Sequence, residues 1–126
     1  MKRDMDLVRD LLLKIEESSK PTSSALLIQD ANDEEKDRII EHLRLMIDFG
    51  LFTAITSAPL SGRWRCQEMK LTWEGHEFVD TLRDPTVWQK TKGIASKAGG
   101  VGFKALLEIG KEVVKGELQK LGIPIA

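Results

Sequence analysis

Apolar residues recur along this chain at helical spacing for most of its length and give way to strand-like spacing only near the middle. Over residues 4–18, Met5, Val8, Leu11, Leu12 and Ile15 fall three and four positions apart and form one stripe, which predicts an amphipathic helix. Asp4 and Asp6 stand at its start, where the helix dipole favours carboxylates, and Ser18-Ser19-Lys20-Pro21 ends it. The short apolar run over residues 25–29 reads as an edge strand. A second helix opens at Asn32, an N-cap with Glu35 three residues on to close a capping box. Its stripe is Ile39, Ile40, Leu43, Met46 and Ile47, and Gly50 supplies the stop.

Residues 51–57, rich in Thr and Ile, then read as a strand. Pro59-Leu60-Ser61-Gly62 is a turn, and residues 63–72 return as the second strand of a hairpin. Thr72 caps a helix over 73–83. Asp84-Pro85 is an N-cap followed by proline at the first helical position, and it starts a helix over 85–98. Gly99-Gly100 is a break, and the last helix, over 102–121, carries Phe103, Leu106, Leu107, Val113, Val114, Leu118 and Leu121. No internal repeat or low-complexity tract interrupts this order.

The fold class implied is mainly α with a small antiparallel β-hairpin: a winged-helix-like core over 1–84 and a C-terminal helical extension over 85–126. The extension either belongs to the same compact domain or serves as a dimerisation element. The expected core is Leu7, Val8, Leu11, Leu12, Ile39, Leu43, Ile47, Leu71, Phe78, Val79 and Leu82.

Composition narrows the setting. The 126 residues are 41% hydrophobic with a formal net charge of -1, which excludes a disordered chain and a polybasic one. Cys66 is the one cysteine, so no intramolecular disulfide forms, as in a reducing compartment. The charged start has no apolar h-region, and no run approaches the roughly 20 apolar residues that cross a bilayer. The expectation is a soluble protein of a bacterial or phage-infected cytoplasm with no membrane span.

Candidate chemistry is sparse. His42 and His76 lie near Glu41 and Glu77, but zinc needs three or four converging ligands, and there is no HxxxH or CxxC. His42 sits among core positions and reads as a partly buried helix residue making one hydrogen bond. Trp73-Glu74-Gly75-His76-Glu77 could pair acid and base, but no nucleophile or substrate loop accompanies it. The structural reading has Trp73 packing the hairpin onto the following helix and Gly75 permitting a close approach. Gly99-Gly100-Val101-Gly102 lacks the Lys-Ser/Thr of a phosphate loop and reads as a hinge. No catalytic residue, metal or cofactor is expected, and the chain does not read as an enzyme.

For DNA the signals conflict. Over residues 30–50 there are seven acids and three bases, a net of -4, and the leading turn Asp33-Glu34-Glu35 would face phosphates with like charge. Arg63, Trp64 and Arg65 on the wing are the candidates for a groove or partner contact, joined by Lys104, Lys111 and Lys115. From residue 88 to the end, seven lysines face three glutamates, a net of +4. The apolar stripe of the last helix, Phe103, Leu107, Val114, Leu118 and Leu121, is a candidate interface that closes the core, docks on a second copy or lies on an anionic membrane. The acidic central helix and the basic C-terminal part are electrostatically complementary between copies.

The runs MKRDMDLVRDLLLKIEE, HLRLMIDFGLF and LTWEGHEFVDTLRDPTVWQKTK resemble the family known as domain of unknown function 2513. They span residues 1–92, and the run LTWEGHEF is the most specific. The resemblance implies a winged-helix-like fold and a frequent phage or prophage origin, and it brings no activity or catalytic residue. Together these readings point to a non-catalytic module that binds a macromolecule, a protein partner or itself. A DNA-binding regulator that uses the wing and the C-terminal lysines is the alternative.

Overall fold

The structure, a computed structural model, describes residues 2–123. Asp4 caps the first helix, α1 (Met5–Glu17), its carboxylate accepting from the Leu7 amide. The stripe read from spacing is the buried one: Val8, Leu11, Leu12 and Ile15.

The expected strand at 25–29 is instead a one-turn helix, α2 (Ser24–Ile28). Ser23 caps it by accepting from the Leu26 amide, and Leu26 stays exposed. Ser and Thr side chains that bond a nearby amide favour a helix start over a ladder. The extended residue lies just before it: Thr22 bridges Met69 of the hairpin, the Met69 amide donating to the Thr22 carbonyl at 3.1 Å.

α3 (Asp33–Phe49) begins with Asn32 accepting from the Glu35 amide at 2.9 Å. It ends at Gly50, whose φ of 99° lets its N–H reach the Met46 and Ile47 carbonyls. Its buried face is Ile40, His42, Leu43 and Met46. Ile39 and Ile47, expected in the core, are only half-buried, as are Leu7 and Leu71. The buried sector of α3 is turned toward His42, because that ring is tied to the start of α1.

β1 (Phe52–Ser57) and β2 (Arg65–Leu71) pair antiparallel, from Phe52 opposite Leu71 to Ser57 opposite Arg65. The register shifts between Thr53 and Ile55, where Glu68 takes a left-handed φ of 55°. Such a bulge twists and bends the strand that carries it. Phe52, Cys66 and Met69 supply the buried positions of the hairpin.

Thr72 ends β2 and starts α4 (Trp73–Leu82). Its N–H donates to the Leu51 carbonyl at 3.1 Å, its hydroxyl donates to the Gly50 carbonyl, and the Gly75 amide donates to that hydroxyl. α5 (Pro85–Lys97) has Asp84 as its cap, accepting from the Thr86 and Val87 amides, with Pro85 at the first position. Gly99 and Gly100, both at positive φ, separate it from α6 (Phe103–Lys120).

Among the described residues, six helices and one two-stranded antiparallel hairpin make a mainly helical chain, with the hairpin following the first three helices. Two compact units are distinguished, Met1–His76 and Glu77–Ala126, with the division inside α4. The first has its core in Leu11, Leu12, Leu43, Met46, Leu51, Phe52 and Met69. The second is centred on Phe78, which meets Phe103 edge-on at 5.2 Å and Trp88 at 6.5 Å. There Gly110 is required, since a Cβ would lie 2.6 Å from Leu82 Cδ2.

Candidate interaction surface

Of the two wing arginines, Arg63 is held against α3. Arg63 Nε donates to Asp37 at 2.8 Å and Nη2 donates to Asp33 at 3.2 Å, so one guanidinium spans two carboxylates one helical turn apart on α3. Hydrogen bonding to Asp37, then the Asp37 charge and the Asp33 contacts, outweigh desolvation and hold Arg63 above the ordinary arginine range. Trp64 is half-buried, with the Arg44 guanidinium 5.8 Å from its ring centroid. Arg63, a candidate contact residue in the sequence, is thus held against α3. Arg65, the first residue of β2, is exposed and borders shallow clefts beside Ser24 and Ala25.

His42 is fully buried rather than partly so, and it makes two hydrogen bonds rather than one. The Asp4 N–H donates to Nε2 at 2.9 Å, and Nδ1 lies 2.8 Å from the Arg38 carbonyl. An amide only donates, so Nε2 accepts, Nδ1 carries the proton, and the ring is neutral. Around it the Asp4 carboxylate pairs with Arg38. Desolvation pushes the Asp4 carboxyl up, but the Arg38 hydrogen bond, the Leu7 amide and the Arg38 charge outweigh it and set it below 3.8.

The Trp-Glu-Gly-His-Glu run is divided in its roles. Gly75 makes the close approach expected of it: a Cβ there would sit 2.1 Å from the Leu51 carbonyl oxygen. Trp73 does not pack the hairpin onto the helix, because it is 77% exposed. It is the first residue of α4, where the Thr72 hydroxyl and backbone already make the junction that an indole was expected to fill. Glu74 and His76 are also exposed, while Glu77 meets Lys111 at 3.6 Å. Cys66 is buried, and burial pushes its thiol up against the opposing effect of Ser24. Among the described residues, no group of three or more His, Cys, Asp or Glu is placed to hold a metal ion.

In the C-terminal unit the candidate residues separate. Phe103 is buried in the core and is not available at the surface; Leu107, Val114 and Leu118 are half-buried; Leu121 caps α6 and is 75% exposed. Lys104 is exposed, whereas Lys111 also meets Glu108 at 3.5 Å and Lys115 meets Glu112 at 3.4 Å. These are exposed pairs that contribute little stability.

A feature missed in the sequence is the groove between α5 and α6, of about 460 Å³, lined by Gly93, Ile94, Val113 and Gly116 and rimmed by Lys90, Lys97 and Lys120. The signal was present: two glycines inside helices, each unfavourable there without a reason. In the first unit, Leu45, Phe49 and Trp73 are large exposed apolar side chains. Among the described residues no helix is long and apolar enough to cross a membrane.

The chain is 32% identical to an uncharacterized protein of Haemophilus influenzae strain Rd over 115 residues, which cover 90% of this chain and 96% of that protein. No solved structure matches. The family described as hypothetical protein (DUF2513) matches residues 2–101, from the segment before α1 to the glycines after α5. The chain belongs to that family, as the opening run, the α3 run and the α4–α5 run had suggested.

Proposed function

We propose that this protein is a non-catalytic interaction module of the phage or prophage type, acting in the cytoplasm by binding another macromolecule, a protein in preference to DNA. One observation carries the preference. The wing arginine Arg63 is held by Asp33 and Asp37, and the turn that would lead into a groove stays acidic with Glu34 and Glu35 beside them. Phosphate neutralisation supplies most non-specific DNA affinity, and a carboxylate-bearing helix start works against it. Apolar surface also faces outward, at Leu26, Ile55 and Leu60 as well as at Leu45, Phe49 and Trp73, and together with mixed charge it suits a protein partner.

The alternative, a DNA-binding regulator, would have to use exposed Arg65 and Lys104. Fluorescence anisotropy with duplex DNA across a salt series separates the two. The expected result is weak binding at low salt and none near about 150 mM, where the Debye length is about 8 Å. A specific footprint at that salt, with a salt slope that falls by about one on Arg65→Ala, would overturn the proposal.

A further inference from the structure

The α5–α6 groove has a floor that the unit containing it does not explain. Gly93 and Gly116 lie inside helices with no positive φ, and a Cβ added at either would meet nothing within 4 Å. Gly110 differs, since its missing side chain makes room for Leu82. A glycine inside a helix is unfavourable relative to alanine, and here neither backbone geometry nor internal packing calls for it. Both glycines leave open space beside Ile94, which is 47% exposed, and Val113.

Charge defines what fits. Lys90, Lys97 and Lys120 against Glu117 give the rim a net of +2. Glu117 pairs with Lys90 and Lys120, while Lys97 has no ion-pair partner among the described residues. The occupant must bring carboxylates to the rim and apolar side chains to the floor, on an element slim enough to lie between two helices.

α3 carries such a face. Glu41, Leu45, Asp48 and Phe49 are spaced four, three and one apart, so they share one side of the helix, and all four are exposed. With exposed Arg44 between Glu41 and Asp48 the face carries a net of -1 against the groove's +2, and Leu45 and Phe49 are 39% and 44% exposed. We infer that the α5–α6 groove receives the Glu41–Leu45–Asp48–Phe49 face of α3 from a second copy of this chain. The contact is heterologous, groove to face, so it closes into a ring or extends with concentration. This inference rests on the protein-binding reading and names one partner for it.

Sedimentation equilibrium of the full chain from about 10 µM to about 1 mM tests it, the range expected of a small, weak interface. The weight-average mass should climb above the 14.2 kDa of one chain. A groove variant, Lys97→Glu with Lys120→Glu, and a face variant, Glu41→Lys with Asp48→Lys, should each associate at least about tenfold more weakly. Mixed together they should associate again, because each then meets a surface of opposite sign. Gly116→Leu should block association while thermal unfolding is unchanged or raised, since the new side chain enters open space.

A wild-type chain that stays monomeric, charge variants that assemble like wild type, or a mixture that does not recover would each overturn the inference. A monomer that binds no DNA near about 150 mM salt removes only this docking mode, whereas a specific DNA footprint at that salt removes the protein-binding reading itself.

Discussion

Replacing His42 by alanine removes the buried side chain that ties the start of α1 to α3 and leaves the exposed Arg38–Asp4 pair in place. The ring is fully buried, accepts the Asp4 N–H at 2.9 Å, and lies with Nδ1 2.8 Å from the Arg38 carbonyl. Leaving a buried N–H without an acceptor costs about 1–3 kcal/mol. Truncating a large buried side chain costs about 2–5 kcal/mol through lost contacts and the cavity left behind. The Asp4 amide sits at a helix end that can open to water, so the lower part of each range applies and the expected loss is about 3 kcal/mol. That is a large fraction of the about 5–15 kcal/mol that holds a domain together. His42→Leu separates the two effects, since it keeps most of the volume and removes the acceptor. It should recover part of the loss but remain about 1–3 kcal/mol below wild type. Urea denaturation gives the free energies, and hydrogen exchange at the Asp4 amide should speed up in both variants. A His42→Leu protein as stable as wild type would refute the tether, and a His42→Ala loss below about 0.5 kcal/mol would refute the packing argument as well.

Leu43→Ala, at a fully buried position of α3, should cost about 2–5 kcal/mol in the same denaturation series. Gly75→Ala should destabilise by about 1–3 kcal/mol or more, because its Cβ would fall 2.1 Å from the Leu51 carbonyl oxygen. Gly93→Ala, with nothing within 4 Å, should instead stabilise the isolated chain by up to about 1 kcal/mol, and differential calorimetry reads both signs. The Asp4 carboxyl lies below 3.8 in the folded chain, so its contribution is fully present above that value and is lost as pH falls through the lowered one. Asp4→Asn should therefore flatten the acid limb of the stability curve while leaving its shape at neutral pH unchanged. Asp33→Asn with Asp37→Asn should release Arg63, move the formal net charge from -1 to +1, and raise non-specific DNA affinity at low salt in an anisotropy titration.

α1, α3 and α5 were legible because each combines a periodic stripe with a local cap: Asp4 for α1, Asn32 and Gly50 for α3, Asp84-Pro85 for α5; α6 was legible from its stripe, since Gly102 gives it no side-chain cap. Hairpin and turn were legible for the same reason, since β-rich runs flank a Pro-Gly turn. α2 was not, because five residues carry no period, and the Ser23 cap decided for a helix where apolar content alone suggested a strand. The phase of α3 was blurred by Ile39 and Ile40 standing side by side, of which Ile40 is the buried one. Long-range polar contacts left no trace in spacing: Arg63 to Asp33 and Asp37 spans 30 and 26 residues, and Asp4 to His42 spans 38. The wing arginines therefore looked free in the sequence, and His42 looked like a side chain with one ordinary partner.

The residues with the richest chemistry are largely taken up by the fold, which is in keeping with the proposed binding role. His42 is a neutral tether inside the first unit, Cys66 is buried with its amide donating to Ser24, and Arg63 is clamped on α3. His76 is exposed on α4 beside exposed Glu74, on a surface rather than in an enclosed cleft. General acid–base work needs a titratable group within reach of a held substrate, and none of these side chains combines access with enclosure. Exposed apolar side chains include Leu45, Phe49 and Trp73 in the first unit and Ile94 among lysines in the second. Apolar side chains bordered by charge recognise a partner by excluding water at the centre and matching charge at the rim.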